Sequence, residues 1–368
     1  MYNIPQYEPL IGYLEKRYIN TYIENPGFLT EYKKTQEFEE KIAAYLGVKH
    51  CIVVNNGTIS LSLALLALGV KPGDRVIIPN LTMIATPNAV KLIGAEPIFV
   101  DVTKLQLLDC ILADKLITQY KAKAIILVSI NGRSWGPEAW EYIWKWKAAG
   151  VGVIEDAAQS FGSKNYEGYF CGARIGQIGS FSFSMPKIIT TGQGGCLVTN
   201  DEQLASTLRK LKDFGRSGGG NDIHSTFGIN CKFTEMQAVI GLAQLTDIEF
   251  RVRRKKEIYG LYREQLKRVP NIQFLATDLS YITPWFVDIF VDQPHQLKNF
   301  LATKGIQTRS VYPPINTQEA YKPINNWLFP VTEKLSSRGI WLPSSLTLKD
   351  EDIIYICNCI KEFYVPTR

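Results

Sequence analysis

A large, mainly parallel α/β sheet followed by a smaller α+β unit is the fold class that this sequence predicts, on three observations. Seven short β-branched runs lie between residues 50 and 201, each closed by Gly, Asn or Asp. The segments between them are helix-like or loop-like and include crossover material such as Pro137 to Gly150. The last third then changes to one long helical tract and shorter mixed elements.

The runs, in order, are CIVVNN, RVIIPN, EPIFVDV, KAIILVSIN, GVGVIEDAA, GSFSFS and GCLVTND. Continuous apolar runs of this length suit strands covered on both faces, which makes a seven-stranded sheet. From Thr234 to Val269 no proline interrupts the pattern, and one long helix is expected as a connector. After it come PNIQFLATD, an alternating tract from Ile282 to Val291, a helix over Gln296 to Gly305, the loop VYPPINTQ and a closing helix over Asp350 to Tyr364. That order suits a smaller α+β domain. Residues 1–245 form the large domain, whose N-terminal segment can pack on the small one, and 246–368 form the small domain.

Composition narrows the function. With 46% hydrophobic, 11% aromatic and 21% charged residues, the 368-residue chain can bury large cores, which excludes general disorder. A net charge of +6 from 41 basic and 35 acidic residues does not suggest a nucleic-acid scaffold. The basic cluster Arg251 to Lys256, interleaved with Glu249, Glu257 and Glu264, reads as a solvated helix face. The longest apolar stretch, Ile59 to Val70, falls short of the ~20 residues that span a bilayer, and the N-terminus lacks a signal-peptide pattern. No membrane partner is expected, and the setting is cytoplasmic. Seven scattered cysteines without a Cys-x-x-Cys pair read as buried reduced thiols. Three histidines, far apart, leave little material for a zinc site or a Ser-His-Asp triad.

Three constellations remain. In NNGTISLSLALLALG, Gly57 and Thr58 stand where a strand turns into a helix, a place whose free amides attract anions, though a simple helix cap explains the same residues. In VIEDAAQSFG, Glu155 and Asp156 follow an apolar strand and deliver a carboxylate to the ligand-binding end of the sheet; Asp156 could equally cap a helix. In GSFSFSMPKIITTGQGG, Ser182 and Lys187 flank a strand end among glycines. A lysine in an apolar setting loses basicity, and a lowered-pKa amine is what Schiff-base chemistry uses. Together these supply what pyridoxal phosphate needs: a lysine, an acid for the pyridine nitrogen and a phosphate cup.

With these residues, and with FEEKIAAYLGVKHCIVVNNGTISLSLAL, GVKPGDRVIIPNLTMIAT, GAEPIFVDV, GINCKFTEMQAVIGLAQL and GIQTRSVYPPI, the chain resembles the DegT/StrS group of nucleotide-sugar aminotransferases over essentially its whole length. The resemblance implies the type I, aspartate aminotransferase-like fold of PLP-dependent transferases, with pyridoxal 5'-phosphate as cofactor and its pyridoxamine form as intermediate. It implies that Lys187 bonds the cofactor and moves the proton, and that Asp156 holds the pyridine nitrogen protonated. Gln159 then lies beside the 3-oxygen, and Gly57, Thr58 and Ser182 hold the phosphate. Asn230 reaches the phosphate of a neighbouring subunit, which implies a homodimer with shared sites. Met83 stands where the family stacks an aromatic ring on the cofactor. Arg309 and Tyr312 match a segment that approaches the nucleotide sugar, although a surface salt bridge also accounts for Arg309.

Ser129 to Arg133 and Gln193 depart from the family pattern and put donor or sugar contacts in question. Related sugar dehydratases carry His at the lysine position, so Lys187 favours amino transfer from an amino acid such as glutamate to a nucleotide-linked keto-deoxysugar. The KIITTGxGG stretch most resembles perosamine synthases, which act at C4 of GDP-4-keto-6-deoxymannose; dTDP- and UDP-linked 4-keto or 3-keto sugars use similar frameworks.

Overall fold

The structure, a computed structural model, describes residues 3–218, 222–321 and 328–364. Strands β1 (His50–Val54), β2 (Arg75–Pro79), β3 (Glu96–Val100), β4 (Ala124–Val128), β5 (Gly152–Asp156), β6 (Ile178–Ser182) and β7 (Gly195–Thr199) form one sheet in the order β1-β7-β6-β5-β4-β2-β3. Strand β7 runs against both its neighbours, and the other pairs are parallel, as the seven runs predict. Every residue of β4, β5 and β7 is buried, so no face needs polar side chains and the runs read as unbroken apolar sequence.

Helices α1 (Tyr13–Glu24), α2 (Lys33–Leu46), α3 (Gly57–Ala67), α4 (Ala85–Leu92), α5 (Cys110–Tyr120), α6 (Pro137–Ala148) and α7 (Glu202–Lys212) surround the sheet. The apolar stretch after Ile59 is α3, in which Ser60 to Leu65 are buried without interruption; a helix enclosed on all sides has no polar stripe. Among the described residues no helix is long and apolar enough to cross a membrane.

The single helix expected from Thr234 to Val269 is two: α8 (Glu235–Thr246) and α9 (Ile248–Leu266). Asp247 leaves the helical region at φ −103°, ψ 18°. The chain changes neighbours there, α8 packing on α1 and α2 and α9 on α12 (Asp350–Tyr364), so one straight axis would not serve both. On α9 the buried stripe comprises Ile248, Arg251, Lys255, Ile258, Tyr259, Tyr262 and Leu266. This corrects the solvated-face expectation for the basic cluster: Arg251 is 3% and Lys255 2% exposed, because helical phase puts both beside the apolar residues.

Strands β8 (Ile272–Gln273), β9 (Val287–Val291), β10 (Arg309–Ser310) and β11 (Gly339–Leu342) form an antiparallel sheet in the order β10-β11-β9-β8, joined by α10 (Pro294–Thr303) and α11 (Pro330–Arg338). The alternation expected over Ile282 to Val291 survives with both faces covered. Val287, Ile289 and Val291 enter a core with α9, α10 and α12, while Phe286 and Phe290 join the core of the large sheet. The chain's start docks on this unit: Ile4 pairs with Ile306 and lies in the same small core.

Candidate functional site

The ladder register lines up several strand ends. Gly195 is level with Val54 on one side and Ser182 on the other, and Asp156 is level with Ser180 and Val128. The carboxyl ends of β1, β6, β5 and β4 thus open onto one edge of the sheet, where open α/β sheets take their ligands.

Helix α3 begins at this edge. Its cap is Asn56, whose side chain accepts from Ile59 N at 2.9 Å and whose carbonyl accepts from Ser60 N at 3.1 Å. Capping therefore falls to Asn56, and among the described residues the amides of Gly57 and Thr58 have no protein acceptor, at the positive end of a buried helix. Gly57 is close enough to β6 that a Cβ on it would lie 2.9 Å from Ser182 Cβ. A Cβ on Gly195 would lie 2.8 Å from Gly57 N. These two glycines let the helix start reach Ser182.

Ser182 is tied to the lysine turn. Its hydroxyl donates to Ser184 Oγ at 3.3 Å, and the Ser184 carbonyl accepts from Lys187 N at 3.0 Å. The Lys187 amine sits 4.3 Å from the centroid of the Trp285 ring. Burial pushes it from the ordinary ~10.4 down to about 8, against the pull of Asp156. Two bonds fix the backbone beneath: Trp285 Nε1 donates to Pro186 O at 2.6 Å, and Tyr7 Oη donates to Lys187 O at 3.0 Å.

Asp156 is 6% exposed. Its Oδ1 accepts from Ala158 N and its Oδ2 from Thr86 Oγ1, both at 3.1 Å, and Thr86 in turn bonds Thr82 at 2.9 Å. Residues 157–177 contain no helix, so Asp156 caps none. Burial raises its pKa, while the Ala158 amide, Lys187 and Thr86 hold the rise in check. Glu155 faces the other side of the sheet, where Ser129 Oγ donates to it at 2.6 Å and burial pushes its pKa up to about 7. Of the two carboxylates, Asp156 belongs to this edge.

Gln159 accepts from Asn131 N at 2.9 Å and donates to Tyr312 Oη at 3.4 Å. The Tyr312 ring meets Trp341 edge-on at 4.8 Å, and the exposed Arg309 guanidinium lies 5.6 Å from the same indole. Met83 is 44% exposed, and its sulfur accepts from Ala85 N at 3.0 Å at the start of the helix that carries Thr86. The structure therefore brings Lys187, Asp156, Gln159 and Tyr312 together beside the cup of Gly57, Thr58 and Ser182. Asn230 is exposed, pairs with Asp213, and touches none of these within one chain. Thr86, Tyr7 and Trp285 escaped the sequence reading; each meets its partner across a long sequence separation and carries no local motif.

The departures from the family pattern have structural duties. Arg133 is 2% exposed and grips Asp288 through two bonds of 2.8 and 3.0 Å, with Gln106 and Thr277 as further acceptors. Asn131, at φ +51°, accepts from Phe286 N at 2.8 Å. A Cβ on Gly132, at φ +81°, would fall 2.3 Å from Thr283 O. Residues 129–133 thus dock the large sheet on β9 and its approach. Gln193 contributes its carbonyl, which accepts from Gln237 Nε2 at 2.6 Å, and the residue itself is exposed. Arg133→Met leaves Asp288 charged and buried without a partner, so a loss of about 3–5 kcal/mol in denaturant unfolding is expected. Adding Asp288→Leu should restore most of it; a single variant as stable as the parent would mean that the pair does not hold the units together.

Comparison with known proteins matches this geometry to a family. The model of the DegT/DnrJ/EryC1/StrS aminotransferase family covers residues 11–361. A GDP-perosamine synthase of Escherichia coli O157:H7 is 38% identical over 368 residues, with 98% of each chain covered. A GDP-perosamine synthase of Vibrio cholerae is 31% identical, covering 98% of this chain and 99% of that one. Spr1654 from Streptococcus pneumoniae, solved in its PLP form, superposes with a TM-score of 0.90 at 26% identity, over 98% of both chains. The chain belongs to the DegT/DnrJ/EryC1/StrS family of pyridoxal phosphate-dependent sugar aminotransferases.

Proposed function

We propose that the protein transfers the amino group of L-glutamate to the C4 keto carbon of GDP-4-keto-6-deoxymannose, yielding GDP-perosamine. The observation that carries this reading is a half-buried, weakly basic Lys187 beside Asp156 at the ligand edge, in a chain alike over its full length to two GDP-perosamine synthases.

The residues fit pyridoxal phosphate. The cup is closed by two glycines that no larger residue could replace without a clash, and its free amides and hydroxyls suit a phosphate. Gly57, Thr58 and Ser182 would hold that phosphate, Asp156 the ring nitrogen, Gln159 the 3-oxygen, and Lys187 the carbonyl carbon. Met83 would lie against a ring face as a polarizable apolar contact. When bound, the cofactor supplies an electron sink for the pair left on the amino-bearing carbon. Asp156, whose oxygens accept from Ala158 N and Thr86 Oγ1, holds the proton on the ring nitrogen. Lys187, neutral above about pH 8, takes the proton from the glutamate α-carbon and returns one to the carbon that becomes C4 of the amino sugar. Trp285 keeps water from the amine's flank, and Tyr312 and Arg309 line the approach for the nucleotide sugar, Arg309 meeting its diphosphate.

Two copies complete the site in this reading. Asn230 lies exposed on a segment that also displays Phe214, Ile223 and Phe227 at 40%, 66% and 68% exposure, a surface suited to burial against a second copy that would receive Asn230 at its phosphate. Residues 1–245 would carry the cofactor side and 246–368 the sugar side. A cytoplasmic setting agrees with seven free, buried cysteines.

The test is an absorbance spectrum of the protein with pyridoxal phosphate before and after glutamate, followed by GDP-4-keto-6-deoxymannose and product analysis. A Lys187-dependent band that glutamate converts to the pyridoxamine spectrum, then GDP-perosamine, is expected. Amination of a dTDP- or UDP-linked keto sugar in preference to the GDP sugar would replace the substrate, and deoxygenation with ammonia release would replace amino transfer by dehydration.

A further inference from the structure

Lys255 is a buried amine to which the reaction above gives no part. It is 2% exposed, and among the described residues no carboxylate forms an ion pair with it. Its Nζ donates to the carbonyls of Trp285 and Ser344, both at 2.7 Å. It lies 5.2 Å from the Tyr7 ring centroid and 5.8 Å from that of Phe286. Arg251, one turn earlier, pairs with Glu15 at 3.4 Å, whereas burial alone governs Lys255 and pushes it down to about 7. An apolar side chain would fill this place without the desolvation cost, so the two carbonyl bonds need another explanation.

The groups that Lys255 touches converge on the lysine turn. Trp285 covers the Lys187 amine and holds the carbonyl of Pro186, and Tyr7 holds the carbonyl of Lys187. The segment of Ser344 carries the segment of Tyr7: Ser344 N donates to Gln6 O at 3.1 Å, and Glu8 N to Ser345 Oγ at 2.6 Å. We infer that Lys255 is a positioning residue for Lys187, its Nζ tying the segments of Tyr7, Trp285 and Ser344 into a buttress that fixes the two carbonyls beneath the amine and keeps the indole over it. The inference rests on the reading of Lys187 as the residue that bonds the cofactor. The charged and titratable neighbours are Asp156 on the Lys187 side and Tyr7 with the Arg251–Glu15 pair on the Lys255 side.

The experiment compares the parent, Lys255→Met, Tyr7→Phe and Lys187→Ala. In the cofactor-free protein, acetylation of Lys187 across pH is followed by mass spectrometry; in the loaded protein, kcat and KM are measured, and borohydride reduction locates the cofactor-bearing lysine. Lys255→Met should raise the Lys187 midpoint by about one pH unit, because a released indole admits water to the amine. It should also lower kcat roughly tenfold with a smaller change in KM. Tyr7→Phe, which removes one hydroxyl and keeps the ring, should shift the midpoint in the same direction by less, and it decides the matter if Lys255→Met does not fold. An unmoved midpoint with unmoved kcat, accompanied only by a lower Tm, overturns the buttress and leaves Lys187 in its role. Reduction that traps the cofactor on a lysine other than Lys187 overturns both readings.

Discussion

Lys187→Ala should lower aminosugar formation by at least about 10⁴-fold, since in the proposed reaction one amine both bonds the cofactor and carries the proton. The proposed phosphate cup of Gly57, Thr58 and Ser182 does not involve the amine, so the variant should still bind the pyridoxamine form without a covalent bond; product chromatography and a dialysed spectrum measure the two effects. Turnover near the parent level would remove Lys187 from the reaction. The same amine is a liability to the cofactor-free fold. Unfolded, it keeps its proton up to ~10.4; folded, it gives it up near 8. Between those values the unfolded chain binds more protons, so this group makes stability rise with pH, and its penalty is whole below about pH 8. Cofactor-free Lys187→Met is therefore expected to be more stable than the parent at pH 7, by about 1–3 kcal/mol after allowance for partial exposure, with the gap closing toward pH ~10.4. Urea unfolding at pH 7 and pH 10 checks this, and a gap that does not narrow would mean that the amine is not desolvated.

What could be read from the sequence follows from how local each cause is. The seven strands were legible because burial on both faces imposes continuous β-branched runs, and α12 because its apolar spacing is helical throughout. The α8–α9 break was not, since Asp247 marks it without a proline and the reason lies in which neighbours each helix meets. A count of charges misplaces Arg251 and Lys255; their spacing to Ile258, Tyr259, Tyr262 and Leu266 holds the correction, because those positions share a face. Asp288, which gives Arg133 its purpose, lies 155 residues away, and no local pattern connects them. The edge residues are legible from strand ends and glycines, which are local features. The bonds that restrain them, from Tyr7, Thr86 and Trp285, depend on the assembled fold.

Asp156→Asn is expected to slow the glutamate half-reaction by about 10²–10³-fold in stopped-flow absorbance. Asparagine keeps the shape: its Oδ1 can still accept from Ala158 N, and its Nδ2 can donate to Thr86 Oγ1 where the carboxylate accepted, so the loss isolates the carboxylate charge from its scaffolding. Two companions sharpen the result. Thr86→Val removes one charge-assisted bond, about 1.5 kcal/mol, and should slow the step only about tenfold, by leaving Asp156 less firmly held. The titration of Lys187 should move too: Asp156 is the charge that supports its protonated form, so in cofactor-free Asp156→Asn its midpoint falls below about 8. A slowed half-reaction with an unmoved Lys187 midpoint would place the charge effect on the ring nitrogen alone. An unchanged half-reaction would leave Asp156 as a turn residue bonded to Ala158, and the acid for the pyridine nitrogen would have to come from another side chain at the edge.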